Sequence, residues 1–395
     1  MSFDSGIPSA LIEQLNSLTD QLSSGDANAR RQALRLSKQL TASLEQPETV
    51  AVELGFSGVI PVAAKVAVEL GLFKQISSHE GPVSADELAK LTGGEARLIE
   101  RILRAMSSIG FVNEVGESTW AANPITKAMA TDGITAGHRL LGDTTITAAV
   151  KLPKFLRETG YRCPTDTRDG LMQYAFNSKL PTFELFASMP NILQDFNLFM
   201  GNTMGAREYW TDWYPVQEKL IDGSNDETAL LVDVGGGKGH DILAFHNKYA
   251  GKGRLVLEDL GAVTNHIGDG LGSAIEVKSY NFFTEQPVKG ARAYFYHHIL
   301  HDWSDEACLE ILEPVVKAMK PGYSKLLLHE MIMPAQKASS FHAMLDLAMM
   351  VFNGGMERTE KQWVALLEKA GLEVVKVWLP TQEDADGIVE AVLKA

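Results

Sequence analysis

The chain has 395 residues and a formal charge of -14, from 50 Asp plus Glu against 36 Lys plus Arg, and 45% of it is hydrophobic. This length suggests two or three globular domains with an ordinary core, and no charge-free run approaches the ~20 apolar residues that a membrane span needs. The acidic balance argues against a nucleic-acid backbone as partner, because phosphate binding rests on clustered Lys and Arg.

Met1-Ser2-Phe3-Asp4 has no basic or apolar secretory signal. The 2 cysteines, Cys163 and Cys308, form no C-x-x-C pair and no disulfide framework, so a reducing, cytoplasmic setting is expected. Residues 8–45 read as helices. Leu11, Leu15, Leu18 and Leu22 share one face, and after Ser24-Gly25-Asp26 the pattern resumes at Ala33, Leu36, Leu40 and Leu44. Their apolar content is thin, so they need a partner surface. Between 57 and 130 the spacing predicts a helix from Val59 to Leu70, a capping box at Ser84 and Glu87, and a helix from Arg97 to Ile109 stopped by Gly110. Short strands follow at Phe111–Glu114 and Ser118–Ala121. This is a winged-helix outline without a basic stripe, read as a structural module rather than a DNA reader.

Residues 135–220 read as helical and are rich in aromatics and methionine. Phe176 and Met200 in this stretch are candidate wall residues for a flat apolar ligand, since Met and aromatic side chains suit such pockets. From about 228 the period changes. Strands are predicted at Ala229–Val234, Arg254–Leu257, Ala274–Ser279, Ala293–His297, Lys325–His329 and Leu372–Leu379, with helices at Asp305–Met319 and Thr359–Ala370. Strands alternating with helices imply an α/β fold with a parallel, doubly wound sheet.

The motifs sit at the strand ends of that sheet. Val232-Asp233-Val234-Gly235-Gly236-Gly237-Lys238-Gly239-His240 runs from a strand through a glycine turn. The nicotinamide fingerprint needs Gly where His240 stands; D-x-G-x-G-x-G is typical of S-adenosylmethionine (SAM) sites instead. Asp259 follows about 20 residues beyond Gly239, where a carboxylate accepts ribose hydroxyls. His301 and Asp302 lie in a strand-to-helix loop before the N-cap Ser304. A histidine there suits general-base work on a phenol or carboxylic acid. Glu330 ends the next strand, and Glu357 lies in Asn353-Gly354-Gly355-Met356-Glu357-Arg358-Thr359. Either carboxylate could orient His301. His297, His298 and His301 raise the question of zinc, but no Cys or further His completes a site, so no metal is expected.

Together, Val232 to Gly237, Glu258-Asp259-Leu260, His301-Asp302-Trp303-Ser304-Asp305 and Gly354 to Glu360 resemble the caffeic-acid-type class I O-methyltransferases, in particular the fungal secondary-metabolite members. The resemblance spans nearly the whole chain. It implies a Rossmann-like catalytic domain, an N-terminal winged-helix dimerisation domain, a homodimer and SAM as cofactor. His301 matches the family's base, and Glu330 and Glu357 match its flanking carboxylates. Gly235, Gly237 and Asp259 match SAM contacts, and Asn281 and Phe282 match adenine contacts. His297 falls on the cofactor side, where members often have Lys. Asp302 and Met204 fall near acceptor positions. Asn281 replaces a usual Asp, and Gly261 stands where Pro is common.

The expected domains are residues 1–135 for dimerisation, 136–220 as a connecting segment to the acceptor pocket, and 221–395 for SAM binding and catalysis. The expected reaction is methyl transfer to a hydroxyl or carboxyl of an aromatic or polyketide-type small molecule. The alternatives are a SAM-bound, non-methylating pericyclase or dehydratase of the same family, and a ligand-sensing winged-helix regulator.

Overall fold

Capping residues and left-handed glycines punctuate the chain where the sequence suggested. In the computed structural model, which describes residues 6–203, 209–265, 267–380 and 385–394, Asp26 caps Ala27–Leu44 by accepting from the Asn28 and Ala29 amides. Ser84 and Glu87 form the capping box of Ala85–Thr92. Gly110, at φ +77°, follows Ala96–Ser108. Thr119–Ala121 pairs antiparallel with both Val83–Ser84 and Asn113–Gly116, and Leu72, Phe73, Ile99, Leu103 and Trp120 fill the core of this winged-helix unit.

The N-terminal helices Gly6–Asn16 and Ala27–Leu44 bury Leu18, Ala29 and Leu36 in a small cluster of their own. The next helix, Pro47–Ser57, buries none of its residues. With Val59–Glu69 it exposes Leu54, Phe56, Val59 and Val62. No single helix among the described residues is long and apolar enough to cross a membrane; this pair passes by length and composition only when taken together across a 43° bend.

The C-terminal strands are β1 (Ala229–Val234), β2 (Arg254–Asp259), β3 (Ile275–Ser279), β4 (Ala293–His297), β5 (Lys325–Glu330), β6 (Leu372–Trp378) and β7 (Gly387–Leu393). They form one 7-stranded sheet in the order β6-β7-β5-β4-β1-β2-β3. β1 to β5 run parallel, as expected. β7 is a strand the sequence reading did not include, and it runs antiparallel to β5 and β6, so the sheet is mixed. Its apolar run is broken by Glu390, which is fully buried against Lys325 and accepts from Trp378 Nε1 at 2.8 Å. Strand order reverses between β1 and β4, and such a switch point opens a ligand crevice at the strands' carboxyl ends.

Local structure and packing run across two of the expected domain divisions. Residue 135 lies inside the helix Asp132–Leu141, which no boundary can divide. Trp210 stacks on Phe295 of β4, with ring centres 4.7 Å apart, so packing on the sheet begins before 221. The helix Ser340–Asn353 works in the opposite direction. Its Val351 and Phe352 join Leu171, Met172 and Phe186 of the connecting segment in one core, and Thr182 Oγ1 donates to the Phe352 carbonyl at 2.8 Å.

Candidate active site

The cofactor side is built from glycines and strand ends. After β1 the backbone turns through Gly235, Gly237 and Gly239, all in the left-handed region. A Cβ on Gly235 would lie 2.6 Å from Ile299 Cδ1, and one on Gly236 would lie 2.6 Å from the buried Asp233 carboxylate. At Gly237 nothing lies within 4 Å of that position, so the turn is packed beneath and open above. The Gly237 amide donates to Asp259 Oδ2 at 2.8 Å and the Leu260 amide to Oδ1 at 2.6 Å. Each carboxylate oxygen keeps accepting capacity. Burial raises the Asp259 pKa, although the two amide bonds pull it down.

Asn281 is exposed, and its Oδ1 accepts from the Phe283 amide at 3.1 Å. Phe282 packs edge-on against Trp303 with ring centres 5.9 Å apart. His297, at the end of β4, places Nδ1 2.8 Å from Asp241 Oδ2 in the first turn after the glycines. Burial lowers its proton affinity, but the Asp241 carboxylate outweighs that and the pKa is raised. The predicted cofactor residues therefore gather along one sheet edge.

These residues fit SAM. The floor at Gly237 is open, Asp259 can accept a pair of ribose hydroxyls, and Asp241 Oδ1 is a buried oxygen without a hydrogen bond. A cationic ligand is the natural complement of such an oxygen. Asp259→Ala is expected to weaken SAM binding about 10–100-fold, the loss of charged hydrogen bonds worth about 1.5–3 kcal/mol. Calorimetric titration with SAM measures it, and an unchanged Kd would remove Asp259 from the site.

His301 sits in a short turn, Leu300–Asp302, just beyond β4. It is 7% exposed. Its Nδ1 lies 2.8 Å from Glu357 Oε1 and 4.0 Å from Glu330 Oε2, and its Nε2 lies 3.6 Å from Asp302 Oδ1. Both predicted glutamates thus meet the histidine. Glu330 also holds the loop itself, since its Oε1 accepts from the Ile299 and Leu300 amides at 3.2 and 2.8 Å.

The glycine run brings Glu357 in. Gly354, at φ +70°, ends Ser340–Asn353. Gly355 then lies directly on the His301 turn, where a Cβ would be 2.1 Å from the His301 carbonyl oxygen. The Met356 amide donates to that oxygen at 2.9 Å, and Asn353 Nδ2 donates to the Asp302 carbonyl at 3.0 Å. Arg358, fully buried, donates to the Leu300 and Trp303 carbonyls at 3.0 and 2.8 Å. The turn is therefore clamped on several sides.

Charge follows geometry. Burial opposes a proton on His301, but the carboxylates of Glu330, Asp302 and Glu357 outweigh it and push the pKa up to about 10. Burial pushes Asp302 up to about 7 despite the attraction of His301. Burial likewise raises Glu330.

Several participants were not anticipated: Asp241, His329, Arg358, Asp386 and Asp346, whose Oδ1 accepts from the Glu357 amide at 2.9 Å. The expectation that no further histidine joins His297 and His298 is corrected, because Asp241, His297 and His329, and likewise His297, His298 and Asp386, bring ligand-type atoms within 4.8 Å of one another. Their arrangement is nevertheless that of packed imidazoles. Ring centres lie 4.1 and 4.5 Å apart, closer than two rings sharing one tetrahedral ion at about 2.0–2.1 Å from each nitrogen. His297 Nδ1 is also engaged by Asp241. Of the acceptor candidates, Asp302 is beside His301, and Phe176 is half-buried against the cluster containing Phe186 and Phe352. Met200 is exposed on Pro190–Thr203. Met204 lies outside the described residues.

Comparison with known proteins gives the family. The O-methyltransferase domain family matches residues 212–373, and the O-methyltransferase dimerisation domain family matches residues 52–132. The chain is 52% identical over 386 residues to O-methyltransferase penC of Penicillium thymicola, covering 97% of this chain and 96% of that one. Among solved structures it is similar to OxaC in complex with S-adenosylhomocysteine (SAH) and oxaline, with TM-score 0.87, 27% identity and coverage of 98% and 99% of the two chains. It is equally similar to a structure described as a pericyclic reaction enzyme, with TM-score 0.87, 30% identity and coverage of 97% and 99%. The chain belongs to the caffeic-acid-type class I family of SAM-dependent O-methyltransferases.

Proposed function

We propose that His301 is the general base for methyl transfer to a hydroxyl of a flat aromatic or polyketide-type acceptor. The observation that carries this reading is the His301–Glu357 contact of 2.8 Å. With Nδ1 held by a carboxylate, Nε2 is the nitrogen left to take a proton. SAM supplies a methyl group on a cationic sulfur. The acceptor proton passes to His301 Nε2 as the oxygen–methyl bond forms and the carbon–sulfur bond breaks, its electron pair staying on sulfur. Glu357 and Glu330 stabilise the resulting imidazolium, and the buried turn keeps water from the reacting oxygen.

The aromatic chain around the site supports a planar acceptor. Phe183 lies 6.2 Å from Trp303 in a stacked arrangement and 5.4 Å from Phe352, and Trp303 continues to Phe282. Phe176 and Met200 are proposed to extend this wall, with Asp302 as a polar contact. A panel of planar phenols, aromatic acids and aliphatic alcohols, read by SAH release, tests the class. Turnover confined to aliphatic alcohols would contradict it.

The pH dependence follows from the carboxylates. Because Glu330, Asp302 and Glu357 raise the His301 pKa, the base is free only as pH rises through the raised value. The acid limit of kcat/KM is therefore expected above 6.5, the ordinary histidine value. A midpoint below 6.5 would contradict this environment.

The likeness to the pericyclic enzyme supports a second reading, in which SAM is bound as a charge and no methyl is transferred. The intact His301–Glu357 pair favours methyl transfer. We also propose a homodimer through residues 52–132, supported by the exposed Leu54, Phe56, Val59 and Val62. A monomer in sedimentation at micromolar concentration would contradict it.

A further inference from the structure

His298 stands three residues before His301, and the mechanism above does not use it. Its backbone lies in the left-handed region at φ +50°, which residues bearing a β-carbon seldom adopt apart from Asn, Asp and His. Held strain of this kind clusters at functional sites. The His298 amide donates to the His329 carbonyl at the end of β5, at 3.1 Å. Its ring faces His301, with centres 4.9 Å apart and planes 23° from parallel. Its other neighbour is His297, with ring centres at 4.5 Å. Nε2 lies 3.1 Å from Asp386 Oδ1, an ion-pair distance without the alignment of a good hydrogen bond. Asp386 is buried and precedes Gly387, which pairs with Glu330 across β7 and β5. Two histidine–carboxylate pairs, His301–Glu357 and His298–Asp386, therefore lie face to face.

We propose that His298, paired with Asp386, is a positioning residue for His301: its ring is the wall that holds the base's imidazole against its carboxylates. This rests on the reading of His301 as the base. Facing His301 are Glu330 from β5, Glu357 from the loop after Ser340–Asn353, and Asp302 and His298 from its own loop. Facing His298 are Asp386 and His297, with His329 and Asp241 behind them. The carboxylates all favour a proton on His301. The strained backbone is what turns the His298 ring onto His301.

His298→Asn tests this, because Asn tolerates the left-handed backbone while the ring is removed. The readouts are kcat, the pH profile of kcat/KM, SAM affinity by calorimetry and Tm. The rate kcat is expected to fall about tenfold or more, and the acid-limit midpoint to fall toward the ordinary histidine value as the imidazole loosens from its carboxylates, with the SAM Kd within about twofold. Asp386→Asn is expected to move the midpoint in the same direction by less. An unchanged midpoint in His298→Asn would overturn the proposal, as would a uniform loss of rate at every pH with a lowered Tm. His301→Gln is assayed alongside. If it keeps turnover, the base reading fails; if it is inactive while His298→Asn keeps the wild-type profile, only the His298 inference fails.

Discussion

Replacing His301 with alanine is expected to lower kcat/KM about 10²–10⁴-fold, the usual contribution of a positioned acid or base, while SAM still binds. The proposed cofactor contacts lie on Asp259, the Gly235–Gly239 turn and Asp241, none of which needs the imidazole. Alanine leaves Glu330, Glu357 and Asp302 clustered without their counter-charge, so those carboxyls hold protons more readily and the fold loses some stability. His301→Gln separates this from catalysis, since a carboxamide can still donate to Glu357 but cannot take a proton. Both variants are expected to lose turnover alike. Single-turnover assays with saturating SAM read the loss, and a Gln variant as active as wild type would remove His301 as base.

Gly355→Ala is expected to be nearly as damaging by a different route. The added methyl would fall 2.1 Å from the His301 carbonyl oxygen and 2.6 Å from the Asp302 carbonyl carbon. Both are backbone, so neither can swing aside, and either the His301 turn or the glycine run must move. Overpacking of this kind costs about 1–3 kcal/mol or more. A 1 Å shift of a catalytic group costs about 100-fold in rate. Thermal unfolding should show a lowered Tm, and kcat should fall much more than SAM affinity. Wild-type kcat and Tm would show that Glu357 is not held in place by close approach at Gly355.

These effects explain which parts of the site were legible in the sequence. The glycine turn, Asp259 and His301 are each announced locally, by an apolar strand followed by a turn and a helix cap. That local grammar also placed β1 to β5 within a residue or two. Glu330 and Glu357 were named as candidates, but their convergence on His301 depends on β5 lying beside β4 and on Gly355 lying against the His301 turn. Asp241, His329 and Asp386 carry no local signal, because their partners come from other strands. β7 went unread because Glu390 interrupts its apolar run and finds its partners on β5 and β6. The expected division at 135 follows a change of composition, and the helix Asp132–Leu141 runs across it.

The central claim is that the chain moves a methyl group from SAM to an acceptor oxygen with His301 as base. Methyl-labelled SAM with an accepted planar phenol tests it most directly, with product and SAH followed together. Expected are label on the product oxygen and one SAH per product in the wild type, with neither in His301→Gln although SAM still binds. Conversion of the acceptor without label and without SAH would contradict methyl transfer and leave the pericyclic reading in its place.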